Sequence, residues 1–193
     1  QTIPPLTYGN LNILGGPKVL SPSAPIKICG KLTVDPVLYA YTSAGSTVEY
    51  ISSSTGQEIL PFTYNNLTFS GTGNFSLGSS APTGDKTINV TGNYVQSAGT
   101  VVLGDTASNT ATLNIEGDMS LNGGTFDMNK VSGGKGTLNL KGDLSLSNTA
   151  LLNATSNTIA NTNFSFVGTG DGLSPATAQT INVANQNTAS NIT

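Results

Sequence analysis

Thr112-Leu113-Asn114-Ile115-Glu116-Gly117-Asp118-Met119 is the stretch on which the fold turns, because the chain says the same thing twice more. Thr87-Ile88-Asn89-Val90-Thr91-Gly92-Asn93-Tyr94 lies 25 residues earlier, and Thr137-Leu138-Asn139-Leu140-Lys141-Gly142-Asp143-Leu144 lies 25 residues later. Down the three copies the apolar residues form columns two positions apart: Ile88, Leu113, Leu138, then Val90, Ile115, Leu140, then Tyr94, Met119, Leu144. A period of two means strands. A constant offset without insertion means that equivalent residues stack, as in a solenoid whose turn is one repeat. Gly92, Gly117 and Gly142 interrupt each run and predict a bend between two short strands, in a positive-φ conformation that a Cβ would oppose.

Working outward, each copy continues into a third short strand, around Val101–Leu103, Phe126–Met128 and Ala150–Leu152, while 104–111 and 129–136 read as loops. Three strands, a bend and a loop make one coil. A single coil buries too few side chains to offset the backbone entropy of its residues. Stacked about 4.8 Å apart, the coils hydrogen-bond one another and share one apolar bore. The expected fold is all-β: a parallel β-helix, or β-solenoid, with about 25 residues and three short strands per coil.

A second phrase marks the flanks. Tyr8-Gly9-Asn10-Leu11-Asn12-Ile13 matches Tyr64-Asn65-Asn66-Leu67-Thr68-Phe69, and Asn163–Phe166 with Gln179–Ile181 echoes Ser46–Tyr50 with Gln57–Ile59. On that alignment Asn191–Thr193 falls where Asn66–Thr68 stood, so 63–193 reads as regular coils cut in mid-repeat. Residues 1–62 hold Pro4, Pro5, Pro17, Pro22, Pro25, Pro36 and Pro61, which break strands. They read as an irregular N-terminal part of the same solenoid with longer loops.

Composition narrows the function. Ser, Thr and Asn fill over a third of the 193 residues, and only 9% are charged. There is no His, a single Cys (Cys29) and no Trp, which removes Ser-His-Asp and Cys-His catalysis, His-ligated metals and any intrachain disulfide. A net charge of −3 offers no basic surface for nucleic acid. No stretch approaches the 18 consecutive apolar residues of a membrane span, so direct membrane insertion is not expected.

The repeat grammar, Ser46-Thr47-Val48-Glu49-Tyr50, then Gln57-Glu58-Ile59, then Tyr64 to Gly71, followed by Gly117-Asp118-Met119-Ser120-Leu121-Asn122-Gly123-Gly124-Thr125-Phe126-Asp127-Met128, resembles the repeats of large adhesin-like surface proteins of Bacteroidota. The resemblance implies a right-handed parallel β-helix, export by type IX secretion and an extracellular, cell-surface location. It implies a scaffold role; from the residues themselves, neither enzymatic activity nor a cofactor is expected. The partners it implies are the remainder of a longer repeat chain, with surface glycans or host and environmental surfaces as contacts.

Several residues carry alternatives. Thr87, Thr112 and Thr137 alternate with Asn89, Asn114 and Asn139 on one outward face. This array reads either as stacked Asn ladders beside strand-favouring Thr, or as a hydroxyl and amide lattice that binds a glycan or ice. Thr91, Glu116 and Lys141 share a column in which Glu116 and Lys141 are expected to pair. The column Asn93, Asp118, Asp143 reads as solvent-facing turn residues, with Ca²⁺ between coils as the weaker alternative. Thr106, in Asp105-Thr106-Ala107, matches the short O-glycosylation motif implied by the resemblance. Asn-x-Ser/Thr at Asn66, Asn74, Asn89, Asn153, Asn163 and Asn191 reads as accidental in so Asn- and Thr-rich a chain. Cys29 aligns with Thr91 and reads as an outward thiol. The acids Asp118, Asp127 and Asp143 read as surface residues, not a catalytic cluster. The expected function is a structural stalk or filament segment; the alternative is a glycan- or surface-binding module using loops or the Thr/Asn face.

Overall fold

The computed structural model describes residues 1–34, 41–77, 84–107, 109–147, 149–155, 162–167 and 181–183. All the regular structure within them is β, and every pair of neighbouring strands is parallel. Among these residues no helix is long and apolar enough to cross a membrane.

Three walls build the solenoid. The first contains Thr63–Tyr64, Lys86–Val90, Thr110–Ile115, Lys135–Leu140 and Thr162–Phe166. The second has eight strands: Thr7–Tyr8, Ile26–Ile28, Thr47–Tyr50, Asn66–Phe69, Tyr94–Gln96, Met119–Leu121, Leu144–Leu146 and Ile181–Val183. The third contains Gln57–Glu58, Asn74–Ser76, Thr100–Gly104, Thr125–Asn129 and Leu151–Asn153. Towards the N-terminus two smaller sheets flank the second wall in chain order. One holds Thr2–Ile3, Lys18–Leu20 and Tyr41–Thr42, the other Leu11–Ile13 and Leu32–Val34.

The register follows the 25-residue offset. Ile88 pairs with Leu113 and Leu113 with Leu138; Val90 pairs with Ile115 and Ile115 with Leu140; Tyr94 pairs with Met119 and Met119 with Leu144. All nine are buried, so the bore is the apolar column set that the alternation calls for. Aromatic rings stack through it: Tyr50 lies on Phe69 with centroids 5.6 Å apart, Phe69 meets Tyr94 at 5.5 Å, and Tyr94 meets Phe126 edge-on at 5.8 Å.

Three details differ from the sequence-based expectation. First, the bend glycines Gly92, Gly117 and Gly142 do not have positive φ. Their constraint is close approach. A Cβ on Gly117 would overlap Asn93 Oδ1 and the backbone of Gly92, and one on Gly142 would overlap Gly117 O and Asp118 Oδ1. Gly99 (φ 71°) and Gly124 (φ 76°), between the second and third walls, are left-handed, as is Gly133 (φ 82°) between the third wall and the first.

Second, the loops are shorter than read. The third-wall strands run on to Gly104 and Asn129, and the first wall restarts at Thr110 and Lys135. Inter-coil pairs such as Ala111 with Gly136 extend the ladder into residues whose composition suggested a turn.

Third, the matched flank phrases occupy different walls. Thr7–Tyr8 stands in the second wall, whereas Thr63–Tyr64 stands in the first; Thr47–Tyr50 is in the second, whereas Thr162–Phe166 is in the first. A strand–bend–strand phrase dictates a local shape that fits either corner, so similarity of phrase does not settle the wall. The Asn191–Thr193 comparison lies outside the described residues.

Candidate functional site

The outer surface of the first wall repeats from layer to layer. Thr87, Thr112 and Thr137 stack in register, as do Asn89, Asn114 and Asn139. Alternation forces this: Ile88, Leu113 and Leu138 point into the bore, so their neighbours face outward. The asparagines form a ladder in which the Asn114 Nδ2 donates to Asn89 Oδ1 and the Asn139 Nδ2 to Asn114 Oδ1, both at 2.8 Å. Register carries Ser165 onto Asn139 and sets Asn89 on Thr63.

One column further along, Lys141 donates to Glu116 of the preceding coil, the ion pair that the column predicts. The Val167 N–H donates to Leu140 O at 2.9 Å, which continues this column to a half-exposed apolar side chain. A shallow groove of about 230 Å³ lies between the two columns, lined by Asn89, Asn114, Asn139, Glu116, Lys141 and Val167, with Ile115 beneath.

At the bend, Asn93, Asp118 and Asp143 are exposed, but the side-chain oxygens of Asn93 and Asp118 accept backbone hydrogen bonds. Asn66 Oδ1 accepts the Asn93 N–H, Asn93 Oδ1 the Asp118 N–H, and Asp118 Oδ1 the Asp143 N–H, each at 2.9 Å. Asn10 accepts the Lys31 N–H at 2.7 Å in the same way. Each side chain ties down a backbone donor in the next coil, and the neighbouring glycine makes room for it. Among the described residues, no three His, Cys, Asp or Glu side chains come together where they could hold a metal.

The third wall supplies what periodicity did not disclose. Asp127, read as a surface acid, is 4% exposed. It accepts the Asn129 N–H at 3.1 Å, the Thr155 N–H at 3.0 Å and the Thr155 hydroxyl. The carboxylate is kept inside by three donors. Asp105, in the segment carrying Thr106, accepts the hydroxyl of Ser76. Burial pushes its carboxyl above the ordinary range, opposed by the Ser76 hydrogen bond and the Lys130 charge. Its Oδ1 is buried without a hydrogen-bond partner. Thr106 is half-buried beside it.

Two glutamines face the bore. Gln96, fully buried, accepts the Tyr94 hydroxyl at 3.2 Å and donates to Gly99 O at 3.2 Å and Thr125 O at 3.0 Å. Gln57 donates to Gly30 O of an earlier coil. The Tyr50 and Tyr64 hydroxyls are 3.0 Å apart, and Tyr64 also donates to Leu60 O. Burial raises the Tyr50 and Tyr94 phenols above their usual value. These groups brace corners from within. Cys29 is exposed, but its chain neighbour Ile28 lies under Tyr50 and accepts from Ile51, so it does not stand in the Thr91 column.

No family model matches this chain, and neither curated proteins nor solved structures yield a match.

Proposed function

We propose that this chain is a length of stiff, non-enzymatic stalk or filament body in a secreted, cell-surface adhesin-like repeat protein, a scaffold that holds adhesive elements away from the surface bearing it. The observation that carries the reading is the repetition of the same three ties in successive coils: the backbone ladder, the Asn ladder and the side-chain bonds at the bend. Bending such a body stretches the backbone ladder of whichever wall is convex, and bending that makes the first wall convex stretches the Asn ladder as well. Its length is proportional to the number of coils, about 4.8 Å for each 25 residues of chain, so extra repeats extend the reach without a new fold.

The test is to insert four further copies of 110–134 between Gly134 and Lys135. The longest dimension from small-angle scattering should grow by about 19 Å, with a circular dichroism signal per residue and a Tm no lower than those of the parent. Growth in all directions, or loss of β structure, would remove the basis for a stalk. Antibodies against the chain should stain the producing cells without permeabilisation; staining that requires permeabilisation would remove the surface location.

A further inference from the structure

The groove on the first wall is the feature that the stalk reading leaves unused. It crosses four layers, from Asn89 through Asn114 and Asn139 to Val167, so its length follows the solenoid axis. A primary amide offers two N–H donors and two carbonyl lone pairs. The ladder uses one N–H each of Asn114 and Asn139, and one lone pair each of Asn89 and Asn114. Donor and acceptor capacity remains at each of the three Asn layers, repeated about every 4.8 Å.

The rest of the lining restricts the partner. Glu116 and Lys141 are both about half exposed and bonded to each other, so the groove has no net charge. A polyanion would meet the Glu116 carboxylate and a polycation the Lys141 ammonium. The groove is shallow, and Val167 is its exposed apolar element, which leaves little to hold an apolar small molecule. A partner that fits has paired donors and acceptors, no charge, an extended form and a repeat of its own near the layer spacing.

We infer that the groove is a binding site for a linear neutral polysaccharide lying along the solenoid axis. Its hydroxyls pair with the outward amides of Asn89, Asn114 and Asn139 and bridge to the Glu116–Lys141 rim. Ring faces rest against Val167. The stalk therefore carries a lateral contact along its length, and the site does not depend on the stalk reading: a failure of the length-growth experiment leaves it standing, and the reverse holds too.

The experiment titrates the 193-residue chain with β-1,4-glucan, β-1,4-mannan, α-1,4-glucan and β-1,4-linked N-acetylglucosamine oligomers of two to eight rings, followed by NMR or calorimetry. At least one series should bind, with affinity rising about fivefold per added ring and levelling off near four rings. The Glu116→Gln/Lys141→Gln double variant alters exposed side chains and should leave the circular dichroism spectrum and Tm unchanged while weakening binding roughly tenfold. Ser120→Asn, on the outer face of the second wall, should bind as the parent does. The inference is overturned by no binding in any series, by affinity independent of length, by stronger binding of alginate or chitosan oligomers, or by a double variant that binds as tightly as the parent.

Discussion

Replacing Gly117 by Ala tests why glycine occupies the bend. The added Cβ would sit 2.6 Å from Gly92 O and 2.8 Å from Gly92 C, and would also overlap Asn93 Oδ1. Two of these three atoms are backbone of the coil below, so rotating a side chain cannot relieve the overlap. Separating the coils there weakens two bonds, Gly117 N–H to Gly92 O at 3.0 Å and Asp118 N–H to Asn93 Oδ1 at 2.9 Å, each contributing about 1 kcal/mol. Overpacking adds about 1–3 kcal/mol, and the stiffer unfolded chain returns about 0.4–1 kcal/mol. The net expectation is a loss of about 2–4 kcal/mol. With a urea slope of roughly 2 kcal/mol/M, the midpoint falls by about 1–2 M.

Two controls separate crowding from conformation. Gly56 has φ 79° and open space around it, so Gly56→Ala meets only left-handed strain, about 1–2 kcal/mol. Gly9 precedes Asn10 in the same bend phrase but has no atom within 4 Å of its Cβ position and no positive φ; Gly9→Ala should be neutral or slightly stabilising. Urea melts followed by circular dichroism, with hydrogen exchange across 90–95 and 115–119, should rank Gly117→Ala as the most damaging of the three. A Gly117→Ala loss no larger than that of Gly56→Ala would refute the close-approach argument.

Ile115→Ala, in the fully stacked column between Val90 and Leu140, should cost about 2–5 kcal/mol through transfer and cavity terms, read as a lower urea midpoint; a change under about 1 kcal/mol would mean that the bore is loosely packed. Asn114→Leu removes the middle rung of the ladder, leaving Asn89 Oδ1 and the Asn139 amide without their present partners; thermal melts should show a loss of about 1–2 kcal/mol, and an unchanged Tm would make the ladder energetically idle. The folded-state pKa of Asp105 is raised, so the native state holds that proton more tightly than the unfolded chain. The associated stability is full below the ordinary carboxylate range and is lost as pH rises through the folded value. Asp105→Asn should therefore raise Tm at pH 7 relative to Tm at acid pH, compared with the parent; a relative fall at pH 7 would reverse the sign assigned to this group.

The 25-residue period, the inward columns, the Asn ladder and the Glu116–Lys141 pair are all legible in the sequence, because each follows from alternation along a strand and a constant offset between strands. Those are local rules, and a string of residues carries them whole. What the tertiary structure alone decided depends on how corners close and what lies across them. Gly117 looks like a residue chosen for its own φ until Asn93 is seen beneath it. Asp127 looks like a surface acid until Thr155, 28 residues on, closes over it. Tyr8 and Tyr64 share a phrase, yet they stand in different walls, because a strand–bend–strand unit fits either corner and only pairing with the coils above and below selects one. The groove beside Asn114 arises in the same way, from side chains up to 78 positions apart in sequence that stacking sets side by side.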